Sequence, residues 1–231
     1  LYDFVWGDFC DRYIEAAKAD FSDPSRRDGT LASMDHVIGK VLRLLHPYAP
    51  FLTEELWQGL GFGTTSIQFA PWPEAGNAAP EPRAAAIFQS AAAARTLRAT
   101  FNLPSNKRLR WMIAPAEDWV TGEFPALRAL LNAGDLDAVE ARPPGSVAAC
   151  PTEIGVIYLP LEGVVDPTAE RQRLDGEIAK VVAEITKVRS KLSSQTFVQN
   201  APEEVVEDHR QRERDWETRR GALESARDAL G

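Results

Sequence analysis

The sequence predicts a mainly α protein: a helical-bundle domain, a small α/β unit and a C-terminal antiparallel coiled-coil hairpin. Three observations predict it. Apolar residues recur at helical spacing over the first hundred positions. Strand-like runs are confined to about residues 104–163. From Pro167 onward Gly and aromatics become scarce, while Leu174, Ile178, Val181, Ile185, Val188 and Leu192 alternate steps of four and three residues, the spacing of a coiled-coil seam. The expected boundaries are 1–103, 104–163 and 164–231.

The opening "LYDFVWGDFCDRYIEAAKADF" is already in helical register, with Phe4, Phe9 and Tyr13 on one face. It starts without Met or an N-cap and reads as a piece of something longer. Thr30 is expected to cap a second helix through Met34, Val37, Val41, Leu44 and Leu45. His46-Pro47 ends it, because proline lacks a donor and disfavours helix in the residue before it. After Pro50, "FLTEELWQGL" restarts as a short helix, with Thr53 and two glutamates suiting its first turn. Gly59 to Pro82 is rich in Gly and Pro and holds a strand candidate, "SIQFAPWP". "PRAAAIFQSAAAARTLRATFN" is an alanine-rich helix begun by proline.

In the α/β unit, "RLRWMIAP", "LDAVEAR" and "GVIYLPL" read as strands, and "FPALRALLNAG" as a helix closed by glycine. In the tail, "QNAPEE" is the reversal, with Asn200 near the N-cap, Pro202 in the first turn and Glu203 and Glu204 facing the positive helix end. Phe197 and Val198 are expected to close the tip. The returning helix should bury Val205, His209, Trp216, Leu223, Ala226 and Leu230, interrupted by Arg212 and Arg219 or Arg220. Arms of this length make a rod of about 40 Å.

The composition limits the function. With 231 residues and 44% apolar content the chain can bury a core. No run approaches a membrane span and no signal peptide opens it, so a soluble, cytoplasmic protein without a membrane partner is expected. Two distant cysteines argue against a disulfide framework or a Cys-x-x-Cys metal site. A formal charge of −8 weighs against nucleic acid, but phosphate binding needs only a local basic stripe.

The tail, from residue 166, carries 12 Lys or Arg and 14 Asp or Glu, yet "KVRSK" and "RQRERDWETRR" space their bases so that one face could carry such a stripe. A dimerisation or spacer role is the plain alternative for a coiled coil. "HVIGK" at His36 resembles the His-x-Gly-His nucleotide signature, and "KLSSQ" at Lys191 the Lys-Met-Ser-Lys-Ser loop, only loosely. The first lacks the second histidine, and in the second Leu192 belongs to the helical seam. His36, His46 and His209 have no metal-ligand spacing. No catalytic residue and no metal site is expected in this chain.

"FVWGDFCDRYIE" (Phe4–Glu15), "LLHPYAPFLTEELWQ" (Leu44–Gln58) and "ARTLRATFNLP" (Ala94–Pro104) resemble the anticodon-binding helical domain of the class I aminoacyl-tRNA synthetases for Val, Ile, Leu and Met. "KLSSQTFVQNAPEEVVEDHR" is similar to the C-terminal arm of the bacterial-type valyl-tRNA synthetase family. Arg12 stands where that family often has Trp, Thr100 replaces a frequent Glu, and Pro104 is displaced.

The resemblance implies tRNA recognition: a helical domain on the anticodon stem and loop, and an arm on the outer corner of the tRNA. The partner would be tRNA(Val) and the fragment a monomer. Valine activation with ATP and Mg would belong to a core outside this chain, which itself holds no cofactor. For the anticodon side the resemblance nominates Arg12, Arg95, Arg98, Asn102, Lys107, Arg108 and Arg110. For the corner it nominates Lys187, Arg189, Lys191, Arg210, Arg212, Arg214, Arg219 and Arg220. Trp57 and Trp72 read as packing residues rather than base stackers. Another class I synthetase, or a coiled-coil interaction module, are the alternatives.

Overall fold

Asp23, not Thr30, starts the long second helix. Its carboxylate accepts from Ser25 N at 2.9 Å, and Pro24 fills the first helical position, whose N–H would be unsatisfied in any case. The structure, a computed structural model, describes residues 1–76, 79 and 81–231. The other three positions lie in the Gly- and Pro-rich stretch, so that part of it falls outside the described residues. The chain divides into two compact units, Leu1–Phe88 with Gly122–Leu130, and Gln89–Thr121 with Leu131–Gly231.

In the first unit a π-helix, Phe4–Ile14, runs on into α1 (Glu15–Ala17), followed by α2 (Pro24–Leu45) and α3 (Pro50–Gly59). Phe9, Ala17 and Met34 form one core cluster, with Tyr13 stacked on Phe9 and Val37 and Ile38 packed against it. Phe4 is exposed and does not join them. Leu42, Trp57 and Ile67 form a second cluster, in which Trp57 meets Phe62. Trp57 is thus the packing residue it was expected to be, whereas Trp72 is exposed. The "SIQFAPWP" segment is a single 3₁₀ turn, Ile67–Phe69, capped by the Ser66 hydroxyl, and not a strand.

Glu54 secures this turn to α3. It accepts from Gln58 Nε2 at 2.9 Å, Ser66 Oγ at 2.7 Å and Ile67 N at 3.1 Å. The bond from Gln58, then that from Ser66, holds the carboxyl below its ordinary pKa. A depressed carboxylate contributes stability above its unfolded pKa and loses it as pH falls through the native value. Wild type is therefore expected to be more stable than Glu54→Gln at neutral pH. In urea melts across pH that margin should close below the ordinary carboxylate range; a margin independent of pH would show that charge plays no part.

The second unit is built on a four-stranded mixed sheet in the order β2-β1-β4-β3. β1 (Leu109–Pro115) buries Leu109, Trp111 and Ile113 at alternate positions, the period-two pattern of a strand. It pairs in parallel with β2 (Ala133–Ala138), and a parallel pair needs a crossover, supplied by α5 (Trp119–Gly122) and α6 (Phe124–Leu131). Asn132, at φ 46°, ends α6 in the left-handed conformation; Gly134, the expected stop, lies inside β2.

β3 (Val147–Thr152) was not legible as a strand. Small residues and Pro151 disguise it, and the sheet edge tolerates a missing donor. It forms a hairpin with β4 (Gly155–Pro160), where Gly155 has φ +126° and an added Cβ would lie 2.1 Å from the Ala114 carbonyl oxygen.

α4 (Pro82–Thr100) enters this unit with Ala91, Ala94 and Arg98 buried along one face. The tail is an antiparallel pair, α7 (Pro167–Ser193) and α9 (Glu203–Asp228), joined by the short α8 (Gln195–Asn200). Asp166 caps α7 by accepting from Thr168 N and Ala169 N. At 27 residues, α7 is about 40 Å long.

The reversal differs from the expected one. Ser194 caps α8, Asn200 ends it with its amide on the Thr196 carbonyl, and α9 starts after Pro202. Phe197 closes the tip edge-on against His209, while Val198 is exposed.

Leu174, Val181, Ile185 and Val188 are buried as their spacing required. On α9 the inward residue is Val206, 5% exposed, rather than Val205, 37% exposed. From Val206 the inward set runs His209, Glu213, Trp216, Arg220, Leu223, Arg227 and Leu230 in strict three-four steps, so three charged residues belong to the stripe. Val206→Ala is expected to lose about 1–2 kcal/mol more than Val205→Ala. Equal shifts in urea midpoint would mean that Val205 shares the seam.

Candidate nucleic-acid interface

Fifteen polar or basic side chains were nominated from the sequence, and their surroundings separate them sharply. Arg98 is a correction. It is 4% exposed, and its guanidinium donates to the main-chain carbonyls of Leu103, Pro104, Lys107 and Leu131. No carboxylate pairs with it among the described residues, and burial lowers its pKa from the usual arginine value. It binds the end of α4 to the loop beyond, with four of its five N–H donors spent on carbonyls and the side chain buried away from any RNA. A signal for this was present in the sequence: Ile87, Ala91, Ala94, Arg98 and Phe101 follow four-three spacing, and all five are buried.

Several other candidates are exposed but engaged. Arg12 pairs with Asp8 at 2.7 Å one turn back. Arg110 reaches across the parallel strands to Asp137 at 2.8 Å. Arg95 is exposed on α4. On the hairpin, Arg189 bridges the two helices, contacting Glu213 and Glu217 at 2.6 Å each; the hydrogen bond to Glu213 chiefly raises its pKa.

Lys187 pairs with Glu184, Arg220 with Glu217, and Arg210 and Arg214 share Glu207. The bond from Arg214, then that from Arg210, lowers the Glu207 pKa. Pairs of this exposed kind contribute little stability and can exchange partners readily.

The remainder are exposed and make no ion pair among the described residues: Lys107 and Arg108 in the loop held by Arg98, Lys191 near the end of α7, and Arg212 and Arg219 on α9. Lys107 and Arg108 occupy adjacent positions, and the loop that carries them is positioned by a buried guanidinium rather than left to fluctuate.

Arg212 and Arg219 are seven residues apart, two turns of helix, and so share a face. That face borders a groove of about 960 Å³, whose other walls include Thr96, Thr100 and Asn102. Asn102 is exposed and holds a left-handed backbone at φ 51°. The fold thereby brings together residues assigned from sequence to two different parts of the RNA. Acidic groups also line the groove, but each has its own partner: Glu177 takes Lys180, Glu184 takes Lys187, and Asp215 takes Gln211.

One contact fixes the groove walls, and a second fastens the end of the tail. The Arg173 guanidinium is shared between Glu170 and the Thr100 carbonyl, which joins the base of α7 to the end of α4. Ser146 Oγ donates to the Leu230 carbonyl at 3.2 Å, joining the sheet to the end of the tail. Sequence reasoning missed Arg173 and Ser146, because both act on main-chain carbonyls and neither lies in a basic run. Among the described residues no helix is long and apolar enough to cross a membrane.

Residues 1–113 match the anticodon-binding domain of tRNA ligase, and the chain carries the tRNA-recognition domain of that class of enzyme. Residues 166–231 match the valyl tRNA synthetase tRNA binding arm. The chain belongs to the valyl-tRNA synthetase family.

Among its relatives is a valine–tRNA ligase of Oceanobacillus iheyensis, 35% identical over 229 residues, an alignment covering 94% of this chain and 26% of that protein. The valine–tRNA ligase of Xylella fastidiosa strain M12 is 36% identical, with 100% of this chain and 25% of the relative covered. That of Xanthomonas euvesicatoria pathovar vesicatoria is 37% identical, with 98% and 25% covered. The chain spans about a quarter of the length of these curated relatives.

Proposed function

We propose that this chain is the tRNA-recognition part of a valine–tRNA ligase. It binds the anticodon stem-loop and the outer corner of tRNA(Val), and so positions the acceptor for aminoacylation by a catalytic core outside these residues. In this reading residues 1–103 form the anticodon-binding domain, 104–163 an α/β unit and 164–231 the arm. Activation of valine with ATP and Mg belongs to the core, and the enzyme works as a cytoplasmic monomer.

The observation that supports this best is the coincidence of the arm match with a helical hairpin some 40 Å long. The hairpin seals its own apolar seam, so it has no need of a second chain to cover it. A stiff rod suits recognition of backbone and shape, while unstacked loop bases are read by stacking and by contacts to their edges.

Of the nominated side chains, Lys107, Arg108, Lys191, Arg212 and Arg219 are the phosphate contacts in this proposal. Five contacts correspond to a slope of about −4 in log affinity against log salt. Filter binding of the full-length protein to tRNA(Val), tRNA(Ile) and tRNA(Met) between about 50 and 200 mM salt tests it. Steep salt dependence with preference for tRNA(Val) is expected. Binding that ignores salt would remove the phosphate contacts, and preference for another tRNA would remove the valine assignment.

A further inference from the structure

α3 is amphipathic in an unusual sense. Its buried side is narrow, carrying Thr53 and Trp57, and its outward side is apolar. Leu52, Leu56 and Leu60 follow one another at four-residue spacing and are all exposed. Phe51 lies beside this stripe at 91% exposure, and Tyr48, in the turn before the helix, is 86% exposed.

Together these side chains present on the order of 600 Å² of mostly apolar surface, taking aromatic side chains at about 150–250 Å² each. This lies at the upper limit of the patches that soluble monomers expose, and patches of that size are normally interaction sites. Thr53 and Trp57 already supply α3 with a core face, so the outward stripe does not serve the folding of this unit.

The charge around the stripe bears on what covers it. From Leu44 to Pro82 there is no Lys or Arg, while Glu54, Glu55, Glu74 and Glu81 fall in the same span. A surface that meets RNA needs cations to displace the counterions of the phosphates; this span holds none of its own, and Arg43, just before it, spends a donor on the Pro71 carbonyl. That poverty of cations favours protein over RNA as the occupant. The relatives are about four times as long as this chain, which leaves some three-quarters of such a polypeptide to provide it.

We infer that the outward face of α3, with Phe51 and Tyr48, is the surface on which the remainder of the same polypeptide docks. The covering segment presents aliphatic or aromatic side chains to Leu52, Leu56 and Phe51, and a basic group at the rim to meet Glu55. The inference rests on the reading of this chain as part of a longer ligase. It adds the place where the recognition region is joined to the rest, and gives the Leu-rich side of α3 a purpose separate from RNA binding.

Photo-crosslinking in the full-length protein tests it. p-Benzoylphenylalanine is placed at Phe51 in one preparation and at Leu56 in another, both exposed positions that tolerate a bulky ring. After irradiation with and without tRNA, products are separated on a denaturing gel and mapped by peptide mass spectrometry. The expected result is a crosslink within one polypeptide, joining α3 to residues outside the 231 described by this sequence.

A product of doubled mass would assign the face to a second copy of the chain. An adduct that appears only with tRNA would assign it to RNA, and no adduct at either position would show the stripe to be bare. Each of these overturns the inference. Valine-dependent charging of tRNA is assayed on the same preparations: its absence counts against the ligase reading, independently of what the crosslink reports about α3.

Discussion

Replacing Arg98 by methionine is expected to lower stability by about 3–5 kcal/mol, the largest effect of any single substitution argued for this chain. The guanidinium is 4% exposed, and its acceptors are main-chain carbonyls of Leu103, Pro104, Lys107 and Leu131. Hydrogen bonds to a charged group are worth about 1.5–3 kcal/mol each, and carbonyls left dry retain their desolvation cost. The cation also lies in the last turn of α4, where the negative end of the helix dipole favours it.

Methionine fills the space but donates nothing. Lysine should recover less than half of the loss, because an ammonium cannot match the planar fork that spans carbonyls on separate segments. Urea melts read this as a lower midpoint with an unchanged slope. Affinity for tRNA should also fall under conditions where the variant is still folded, because the loop carrying Lys107 and Arg108 loses its anchor. If the methionine variant melts like wild type and only RNA binding weakens, Arg98 is an RNA ligand and its structural role is wrong.

Arg98 also illustrates where the sequence could and could not be read. Helical spacing located the opening helix, α2, α3, α4 and the seam of α7, since an amphipathic helix announces its buried face by period alone. The same spacing included Arg98, but an arginine beside Arg95 reads as a basic pair when residue type is weighed above position.

β3 escaped for a different reason. Val147–Thr152 is short and small-residued, with Pro151 at an edge, so its strand character comes from the partner β4 and not from its own residues. The inward register of α9 was one residue off at its start. Val205 and Val206 are chemically identical, and only the geometry of α8 decides which of them faces α7. Likewise no pattern in the sequence could pair Asn102 with Arg212, because 110 residues separate them and only the folded second unit makes them neighbours.

Reversing both Arg212 and Arg219 to glutamate is expected to weaken tRNA binding about 100-fold at low salt, and to make the salt slope shallower by about 2. Neither side chain makes an ion pair within about 4 Å among the described residues, so the change removes attraction for phosphate and breaks no hydrogen bond in the hairpin, its one internal cost being the loss of the attraction between Arg219 and Glu177. The melting midpoint should stay close to that of wild type.

Arg189→Gln supplies the opposite control. It removes the bridge to Glu213 and Glu217, so it should loosen the hairpin while leaving the salt slope nearly unchanged. If the double reversal leaves the slope as it was, these two cations do not meet phosphate, and the groove they border is not part of the interface. If the slope shifts as expected, Asn102→Ala combined with Arg212→Gln decides how the groove is used. Independent contacts to distant parts of the RNA would add, whereas two contacts to one RNA segment should couple. Since Asn102 and Arg212 line the same groove, coupling is the expected result, and it would make the end of α4 and the arm a single reader of one stretch of tRNA.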